Sequence, residues 1–378
     1  MGDALLRALA ERLRVFWPEP ENVAKVGPDA FALGLVEAGG MHDAIGIAAT
    51  LEKYVKQALA APFAMGDKEI RVSLSIGVAF YPPDGDDAEV LFRNAEAALK
   101  RAQASGERIV FYEPEMNAGV AETLMLENRL HRAIEQQQFI LHYQPKIESA
   151  TGRVVGMEAL LRWQDPDCGL VSPAEFIPIL EETGMMLEVG TWAMRQALTE
   201  SRAWRPMHGG PLGIAVNVSP VQLEQRDFVD SVRRAIDGLD IEGSPLELEI
   251  TESTVMDDVD ENISKLAAIR DMGVNIVMSD FGAGHSSLPH LADLPVNALK
   301  IDRSFFATVT TKSHSMTLVS TIISLAHALT VIAEGVDSAD QAKLLRLLKC
   351  DEMQGNLFSK PLSADGVAKF LQRASVPR

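Results

Sequence analysis

Hydrophobic and polar positions in the first third of the chain alternate between helical and extended patterns. Leucines recur at helical spacing between charged residues in DALLRALAERL, which predicts an amphipathic helix. The apolar runs VAKV and FALGLV follow, and the turn formers Gly27, Pro28 and Asp29 between them predict a hairpin. The later patterns predict a helix near 44–59, a strand in EIRVSLSIGVAFYP, a helix near 88–104 and a short strand in RIVFYE. Residues 1–113 are therefore expected to form an α+β unit.

A helical pattern continues through residues 114–138. Val120, Leu124, Leu130 and Ile134 recur at helical spacing, and no Pro or Gly-Ser linker interrupts the segment. We interpret the segment as a helical connector. A stiff connector suits signal transmission, and a plain domain spacer is an equally good interpretation.

From Phe139 onward, apolar strands are separated by helical segments. Eight strands are predicted, in FILHYQP, VVGMEALLRW, LGIAVNVS, LELEITES, NIVMSDF, ALKID, TVIAEGV and EMQGNLF. An open sheet would carry fewer strands, so the pattern indicates an α/β fold, a (β/α)8 TIM-like barrel, over residues 139–378.

Polar side chains interrupt or close most of these apolar strands. They are Glu158, Asn217, Glu249, Asp280, Lys300, Glu334 and Gln354. Burying such groups costs free energy unless a metal, a ligand or a partner satisfies them. Any one of them alone is more simply a solvated residue at the rim. Their recurrence at equivalent places favours a shared site, because the carboxyl ends of barrel strands converge on one mouth.

Four of these residues offer oxygen ligands without any Cys or His. Glu158, Asn217, Glu249 and Asp280 would favour Mg²⁺ or Mn²⁺ over zinc. A carboxylate-bound metal pair clamps a phosphodiester and activates water for hydrolysis.

Three further residues fit phosphate chemistry but have simpler interpretations. Lys300 could orient a water, balance negative charge or be an ordinary ion-pair partner. Glu334 could act as a general base or hold a second metal. Arg162 could grip a phosphate through its planar fork or pair with Asp165.

Composition narrows the class of protein. The 378 residues suit two domains, and 47% hydrophobic with 23% charged residues is a globular balance. The formal charge of −18 argues against a nucleic-acid groove with many phosphate contacts. No apolar run approaches the length of a membrane span and no signal-peptide pattern is present, so a cytoplasmic protein is expected.

Cysteines and histidines suggest no site of their own. Cys168 and Cys350 lack paired spacing and are expected to be reduced and structural. The histidines without a convincing metal spacing, also expected to be structural, are His285, His290, His314 and His327.

Seven ordered motifs carry a resemblance to a known family. MEALLRW, VNVSPVQL, LELEITES, DFGAGHSSL, LKIDRSF, VIAEGV and QGNLFSKP together resemble the EAL domain, whose members open the ring of cyclic di-GMP to the linear dinucleotide. The resemblance covers residues 126–371. It implies a barrel whose first strand runs against the others, and a family that often dimerises through the barrel.

The resemblance also implies roles for individual residues. The metal ligands fall on Glu158, Asn217, Glu249 and Asp280, and the catalytic or metal-linked groups on Lys300 and Glu334. Glu252 would anchor the loop that follows the fifth strand. The nucleotide contacts would be Gln144, Arg162, Asp302, Gln354 and Pro361.

One departure from the family pattern bears on catalysis. Where the family has two consecutive aspartates before Phe-Gly, this chain has Ser279 and Asp280. The first of the pair resembles the metal-bridging ligand of active members. A serine cannot bridge two cations as a carboxylate does, so hydrolysis is expected to fall while binding survives. His285 stands where the family usually has Tyr, with no consequence that we can assign.

The first 113 residues resemble the later part of a GGDEF domain, the diguanylate cyclase family. GDALLRALAERL, the hairpin, SIGVAFYPPDG and AEAALKRAQASG follow its order. Pro28 replaces a glycine of the signature turn, and Ala30 removes its acidic metal-binding side chain. The earlier half of the domain has no counterpart in the sequence. We expect no cyclase activity, and either a regulatory or dimerising remnant or a fragment of a longer sensor.

Three functional interpretations remain open at this stage. A degenerate EAL domain could act as a cyclic di-GMP receptor, with an upstream sensor or a protein partner, which Ser279 favours. It could remain an Mg²⁺- or Mn²⁺-dependent phosphodiesterase, which the retained acids favour. A pure interaction scaffold fits poorly, because it would not explain the costly polar residues at the mouth.

Overall fold

Two units divide the chain, one over Met1–Leu124 and the other over Met125–Arg378. The computed structural model describes residues 2–35, 44–65, 68–239, 245–256, 258–281, 294–306, 313–326 and 329–374. The boundary between the units falls within one helix, Glu115–Glu135, close to the connector helix that the sequence predicts. The domain limits at residues 113 and 138 stay predictions.

Short elements build the first unit. Its helices are α1 (Gly2–Phe16), α2 (Ala44–Leu59) and α3 (Ala88–Ser105), with a 3-10 helix at Pro20–Asn22. Its strands are β1 (Val23–Lys25), β2 (Phe31–Leu33), β3 (Phe63–Met65), β4 (Lys68–Ile70), β5 (Ile76–Val78) and β6 (Ile109–Phe111). The strands β1 and β2 form the predicted antiparallel hairpin. Leu9 and Leu13 of α1, with Trp17 directly after it, pack into the core of this unit.

The prediction of one strand through EIRVSLSIGVAFYP is wrong. The run divides into β4, which pairs with β3 in antiparallel fashion, and β5, which pairs with β6 in parallel. A change of partner therefore separates the two strands, and α3 packs directly on β5. A Cβ atom at Gly77 would lie 2.1 Å from the carbonyl oxygen of Ala95, so only glycine permits this approach.

The second unit contains the barrel. Its helices are α4 (Glu115–Glu135, shared with the first unit), α5 (Pro173–Glu182), α6 (Met186–His208), α7 (Pro220–Leu223), α8 (Phe228–Ile236), α9 (Glu252–Met256), α10 (Val259–Asp271), α11 (Ser313–Leu325), α12 (Ala339–Leu347) and α13 (Ala364–Ala374), with a 3-10 helix at Arg303–Phe305. Its strands are β7 (Phe139–Glu148), β8 (Val154–Asp165), β9 (Gly169–Val171), β10 (Gly213–Asn217), β11 (Leu246–Thr251), β12 (Asn275–Phe281), β13 (Ala298–Ile301), β14 (Thr330–Ala333) and β15 (Glu352–Met353).

Eight of these strands close into a barrel, which confirms the predicted fold. The order runs from β10 through β15 to β7 and β8, and β8 pairs with β10 to close the ring. β7 is antiparallel to both of its neighbours, as the resemblance implies, and the other seam pairs are parallel. The short strand β9, which was not predicted from the sequence, pairs with the end of β8 in antiparallel fashion outside the ring.

Side-chain alternation gives each strand one face toward the helices and one toward the barrel interior. In β12, Ile276 and Met278 belong to the large core, whereas Val277 packs with Ala298 and Ile332 in a small separate cluster. The period of two thus sends every second residue inward. The polar residues identified from sequence lie on this inner face or directly beyond it, except Asp280, which lies where β12 becomes irregular.

A buried ion pair fills the interior on the side of Lys146. Lys146 is 1% exposed and pairs with Glu247 across the barrel. Burial lowers its pKa, but Glu247, Glu352 and Glu249 together raise the pKa above its usual value. Gly156 and Gly213 leave room for the pair, since a Cβ atom at Gly156 would approach Lys146 Cε to 2.9 Å. Within the described residues, no helix is both long and apolar enough to cross a membrane.

Candidate active site

Adjacent strands bring the predicted acids together. Glu158 of β8 lies in register with Ala215 of β10, and Asn217 at the end of β10 lies in register with Glu249 of β11. Side chains two residues apart share a face, so Glu158, Asn217 and Glu249 all reach the interior near one level.

Lys300 of β13 is the centre of this cluster. Its Nζ atom lies 2.8 Å from Glu158 Oε2, 2.7 Å from Glu249 Oε2 and 3.7 Å from Glu334 Oε2. The Lys300 side chain is 2% exposed, and that of Glu249 is fully buried. One ammonium group therefore neutralises part of the charge of two buried carboxylates.

Amide groups fix the orientation of Glu158. Asn217 Nδ2 donates to Glu158 Oε1 at 2.8 Å, and Gln354 Nε2 donates to Glu158 Oε2 at 2.6 Å. Gln354 also donates to Gln144 Oε1 at 3.1 Å, and Gln144 Nε2 donates to the carbonyl oxygen of Ser359 at 3.0 Å. Gln354 is completely buried, so it positions a carboxylate in this arrangement.

The two buried carboxylates differ in acidity. Burial raises the pKa of Glu158, but the charge and hydrogen bond of Lys300, with the amide donors, outweigh burial and lower it. Burial and the neighbouring Glu158 raise the pKa of Glu249, and Lys300 only partly offsets them. Burial lowers the pKa of Lys300, while the three glutamates raise it well above its usual value. Lys300 is therefore charged, and Glu249 is the carboxylate that protonates first.

Unsatisfied oxygens at the cluster fit a hard cation. Glu249 Oε1 and Gln354 Oε1 are buried and lack a hydrogen-bond partner. Such orphaned acceptors cost free energy, and Mg²⁺ or Mn²⁺ prefers oxygen donors of this kind. In the part of the chain that the structure describes, no three acidic, His or Cys side chains are grouped closely enough to hold a metal. Lys300 itself takes a cation's place between two of the expected ligands.

Ser279 and Asp280 lie where β12 becomes irregular. Ser279 is 5% exposed and lies in register with Thr251 of β11, on the inner face. The register shifts between Met278 and Phe281, and Asp280 has a φ of 54°. This left-handed backbone redirects Asp280 into an exposed position. Burial and Asp302 raise the pKa of Asp280, and Lys300 lowers it.

Arg162 lies on the same face of β8 as Glu158, four residues further along. The alternative that it pairs with Asp165 is wrong, because Asp165 Oδ2 accepts from Arg129 at 2.7 Å. Arg162 instead donates to the carbonyl oxygen of Leu161 at 2.8 Å. Burial lowers the pKa of its guanidinium group, and Glu158 opposes that effect. Arg162 therefore presents a half-buried cation near the acids.

The other expected nucleotide contacts lie on neighbouring segments. Asp302 directly follows β13, and its side chain accepts from Ser304 N at 2.8 Å. Pro361 precedes Leu362, whose backbone exchanges two hydrogen bonds with Tyr143 of β7. This pairing places the segment of Pro361 beside Gln144.

Glu334 and Glu252 complete the predicted set. Glu334 directly follows β14, and burial together with nearby acids raises its pKa against the opposing effect of Lys300. Glu252 is buried at the start of α9. The loop that Glu252 is expected to anchor falls in 282–293, outside the described residues, as do His285, His290 and His327.

His142 is a further polar residue of the barrel interior that was not predicted from the sequence. Burial and Arg162 lower the pKa of this side chain, which shares the inner face of β7 with Gln144 and Lys146. The alternation in FILHYQPK carries the signal, since His142, Gln144 and Lys146 are two residues apart.

Known proteins resemble both units. A sequence model described as "EAL domain" matches residues 127–361, and one described as "Diguanylate cyclase, GGDEF domain" matches residues 1–108. The bifunctional diguanylate cyclase/cyclic di-GMP phosphodiesterase MucR of Pseudomonas aeruginosa is 39% identical over 97% of this chain. The cyclic di-GMP phosphodiesterase PdeR of Escherichia coli is 33% identical over 98% of this chain. The chain spans about half the length of these relatives, 53% of MucR and 56% of PdeR.

A solved structure resembles the barrel. The structure described as "PaMucR Phosphodiesterase, c-di-GMP complex" matches with a TM-score of 0.60 and 39% identity. The match covers 64% of this chain and 99% of that one.

Proposed function

Because the chain belongs to the EAL-domain family, we propose that its barrel binds cyclic di-GMP at the mouth and that Ser279 limits hydrolysis. The observation that carries the proposal is the group of Lys300, Glu158 and Glu249, buried together with distances of 2.7–2.8 Å from the ammonium group. Burying this charge serves no purpose in a scaffold, since apolar residues of similar size would be at least as stable. The buried charges therefore support a barrel mouth that binds a charged ligand.

Binding requires cations that face the phosphates. Arg162 is the half-buried guanidinium group on the inner face of β8 and fits a phosphate through parallel hydrogen bonds. Gln144, Asp302, Gln354 and Pro361 would also help to hold the nucleotide, and Pro361 lies beside Gln144.

A divalent cation, Mg²⁺ or Mn²⁺, would be held by Glu158, Asn217, Glu249 and Asp280. Bound there, it supplies charge neutralisation for the phosphodiester and lowers the pKa of water. The orphaned Glu249 Oε1 supports this assignment. Without a metal, the ammonium group of Lys300 stabilises the two glutamates. When a metal binds, Lys300 would lose part of its contact with them.

Hydrolysis adds one water across a single P–O bond. The water oxygen bonds to phosphorus, and the 3′ oxygen leaves as a hydroxyl group, which opens the ring. Glu334, whose pKa is raised by burial, would accept the proton of the attacking water, and Lys300 would orient that water. The lost carboxylate at Ser279 makes this step slow, so the chain acts mainly as a receptor whose phosphodiesterase activity is weak or lost.

An active Mg²⁺- or Mn²⁺-dependent phosphodiesterase is the second candidate. The retained Glu158, Asn217, Glu249, Lys300 and Glu334 favour it. A homodimer, a protein partner and an upstream sensor stay predictions.

Replacing Arg162 with alanine tests the binding site. Removing a charge-assisted phosphate contact costs about 1.5–3 kcal/mol, so Arg162→Ala should weaken cyclic di-GMP binding at least about tenfold in calorimetry. Arg153→Ala removes a 74% exposed arginine whose partner is Glu148 and should leave the affinity unchanged. Equal affinity of wild type and Arg162→Ala would contradict this placement of the ligand.

The first unit should make no cyclic di-GMP. The turn between β1 and β2 carries Pro28 and Ala30, so it lacks both the flexible backbone and the acidic side chain of the family's signature. Incubation of purified protein with GTP and Mg²⁺, followed by chromatography, is expected to yield no dinucleotide. Synthesis by the wild type that Asp29→Ala abolishes would refute this prediction.

A further inference from the structure

We propose that Asn262 and Lys265 of α10, on the outside of the barrel, are positioning residues for the ligands at its mouth. They act through α7 and α9, the two short helices that follow the strands of Asn217 and Glu249. The inference rests on the proposed function, since it assigns to these residues the geometry of the expected metal ligands.

Lys265 holds the carboxyl end of α7. The residue is 8% exposed, and its Nζ atom donates to the carbonyl oxygens of Leu223 at 2.7 Å and Glu224 at 3.4 Å. Glu261 Oε1, one turn earlier on α10, lies 2.8 Å from the same nitrogen. A buried ammonium group at a helix carboxyl end satisfies carbonyls that lack intrahelical donors and is favoured by the helix dipole.

Asn262 does the same for α9. It is 5% exposed, and its Nδ2 atom donates to the carbonyl oxygens of Thr254 at 3.2 Å and Val255 at 3.3 Å. One turn of α10 thus carries the donors for both short helices, because Asn262 and Lys265 are three residues apart on one face.

Neither short helix would be stable by itself. α7 has four residues and α9 has five, far below the length at which isolated helices form. A cavity of about 110 Å³ adjoins them, lined in part by Leu223, Thr254 and Lys265. Packing is therefore incomplete where the two helices end, and the side-chain donors supply much of the restraint there.

Only a few residues separate α7 and α9 from the expected metal ligands. α7 begins three residues after Asn217, and the backbone nitrogen of Ser219, which directly precedes the helix, donates to Gln222 Oε1 at 3.1 Å. The backbone nitrogen of Val218 donates to the carbonyl oxygen of Glu249 at 2.9 Å. α9 begins directly after β11, three residues beyond Glu249, and the hydroxyl groups of Thr251 and Thr254 lie 2.7 Å apart. Displacing α7 or α9 would therefore move the end of the strand that carries Asn217 or Glu249.

The test uses the full chain with Lys265→Met and Asn262→Leu, which keep side-chain size and remove the donors. The Mn²⁺ concentration for half-maximal cyclic di-GMP binding should rise in each by up to about tenfold, the lower end of the effect of removing a group bonded directly to a metal ligand. Affinity for the dinucleotide at saturating Mn²⁺ should change little. Backbone amide hydrogen exchange should accelerate in 220–224 and 252–256 but not in α6.

Matched variants separate positioning from general stability. Arg270→Met removes the same charge from the exposed face of α10 and should leave the Mn²⁺ requirement unchanged. Lys265→Arg keeps a cationic donor, so its Mn²⁺ requirement should stay close to that of the wild type. The inference would be overturned if the variants kept both the wild-type Mn²⁺ requirement and the wild-type hydrogen exchange in 220–224 and 252–256, even with a lower unfolding temperature. A wild type that binds no cyclic di-GMP would contradict the proposed function alone. Hydrogen exchange in these two segments would then decide the inference.

Discussion

Ser279→Asp is expected to raise the rate of cyclic di-GMP hydrolysis at least about tenfold, since a direct metal ligand matters no less than the groups behind it. Ser279 is buried on the inner face of β12, in register with β11, which carries Glu249. A carboxylate there would join the acids around Lys300 and complete the family's pair of aspartates. The measurement is the initial rate of linear product in excess Mn²⁺.

Turnover should rise more than binding does. A bridging ligand stabilises charge on the attacking and leaving oxygens, which develops in the transition state, whereas ground-state affinity depends mainly on Arg162 and the guanine contacts. Affinity measured in Ca²⁺, where little turnover is expected, supplies the comparison.

Ser279→Asn is the matched control, because it has the shape of aspartate without the charge. It should not raise the rate. A wild type that is already fast and is unaffected by Ser279→Asp would show that another group supplies the bridge, and the second candidate function would then hold. A rate that stays negligible in Ser279→Asp would place the defect elsewhere.

Lys300→Met should lower the free energy of unfolding of the metal-free protein by about 3–5 kcal/mol, the usual result of removing one partner from a buried ion pair. The substitution leaves Glu158 and Glu249 buried without the ammonium group that lies 2.7–2.8 Å from both. Denaturant unfolding measures the effect. Lys343→Met, which removes an exposed lysine from α12, should have little effect.

The loss in Lys300→Met should grow with pH. Burial already raises the pKa of Glu249, and without Lys300 the pKa of both carboxylates would lie above that of the unfolded chain. A carboxyl group with a raised folded pKa contributes stability below its unfolded pKa and loses it as pH rises through the folded value. Lys300→Met should therefore be closer to wild type at about pH 5 than at about pH 8.

Mn²⁺ should restore part of the stability of Lys300→Met, because a divalent cation can replace the ammonium charge between the two glutamates. A variant as stable as wild type at both pH values would show that Lys300 does not compensate the two acids, and the electrostatic account of the site would fail.

Local patterns in the sequence were sufficient to predict the barrel. The apolar run in NIVMSDF predicts a strand over the residues that β12 occupies, and the helical spacing near 44–59 predicts α2 with the same limits. These signals depend on neighbouring residues alone. The single strand proposed through EIRVSLSIGVAFYP was wrong because strand partners, which lie elsewhere in the chain, decide where a strand ends.

The same distinction holds for the candidate site. Glu158, Glu249 and Lys300 stand out in sequence because each is polar in an apolar strand, and barrel closure explains why they meet. Sequence alone does not reveal that Gln354 holds Glu158 or that Arg129, not Arg162, pairs with Asp165. Those contacts join residues far apart in the chain.

The sequence by itself determined the fold, the set of polar residues on the inner strand faces and the missing carboxylate at Ser279. Each of these depends only on residue types and their spacing along the chain. Only the tertiary structure decided which charges share a partner. Lys146 pairs with Glu247, and Lys300 pairs with Glu158 and Glu249. Lys265 of α10, on the outside of the barrel, caps the carboxyl end of α7. The physical reason is that Coulomb energy and desolvation depend on distance and burial, and closure of the barrel sets both.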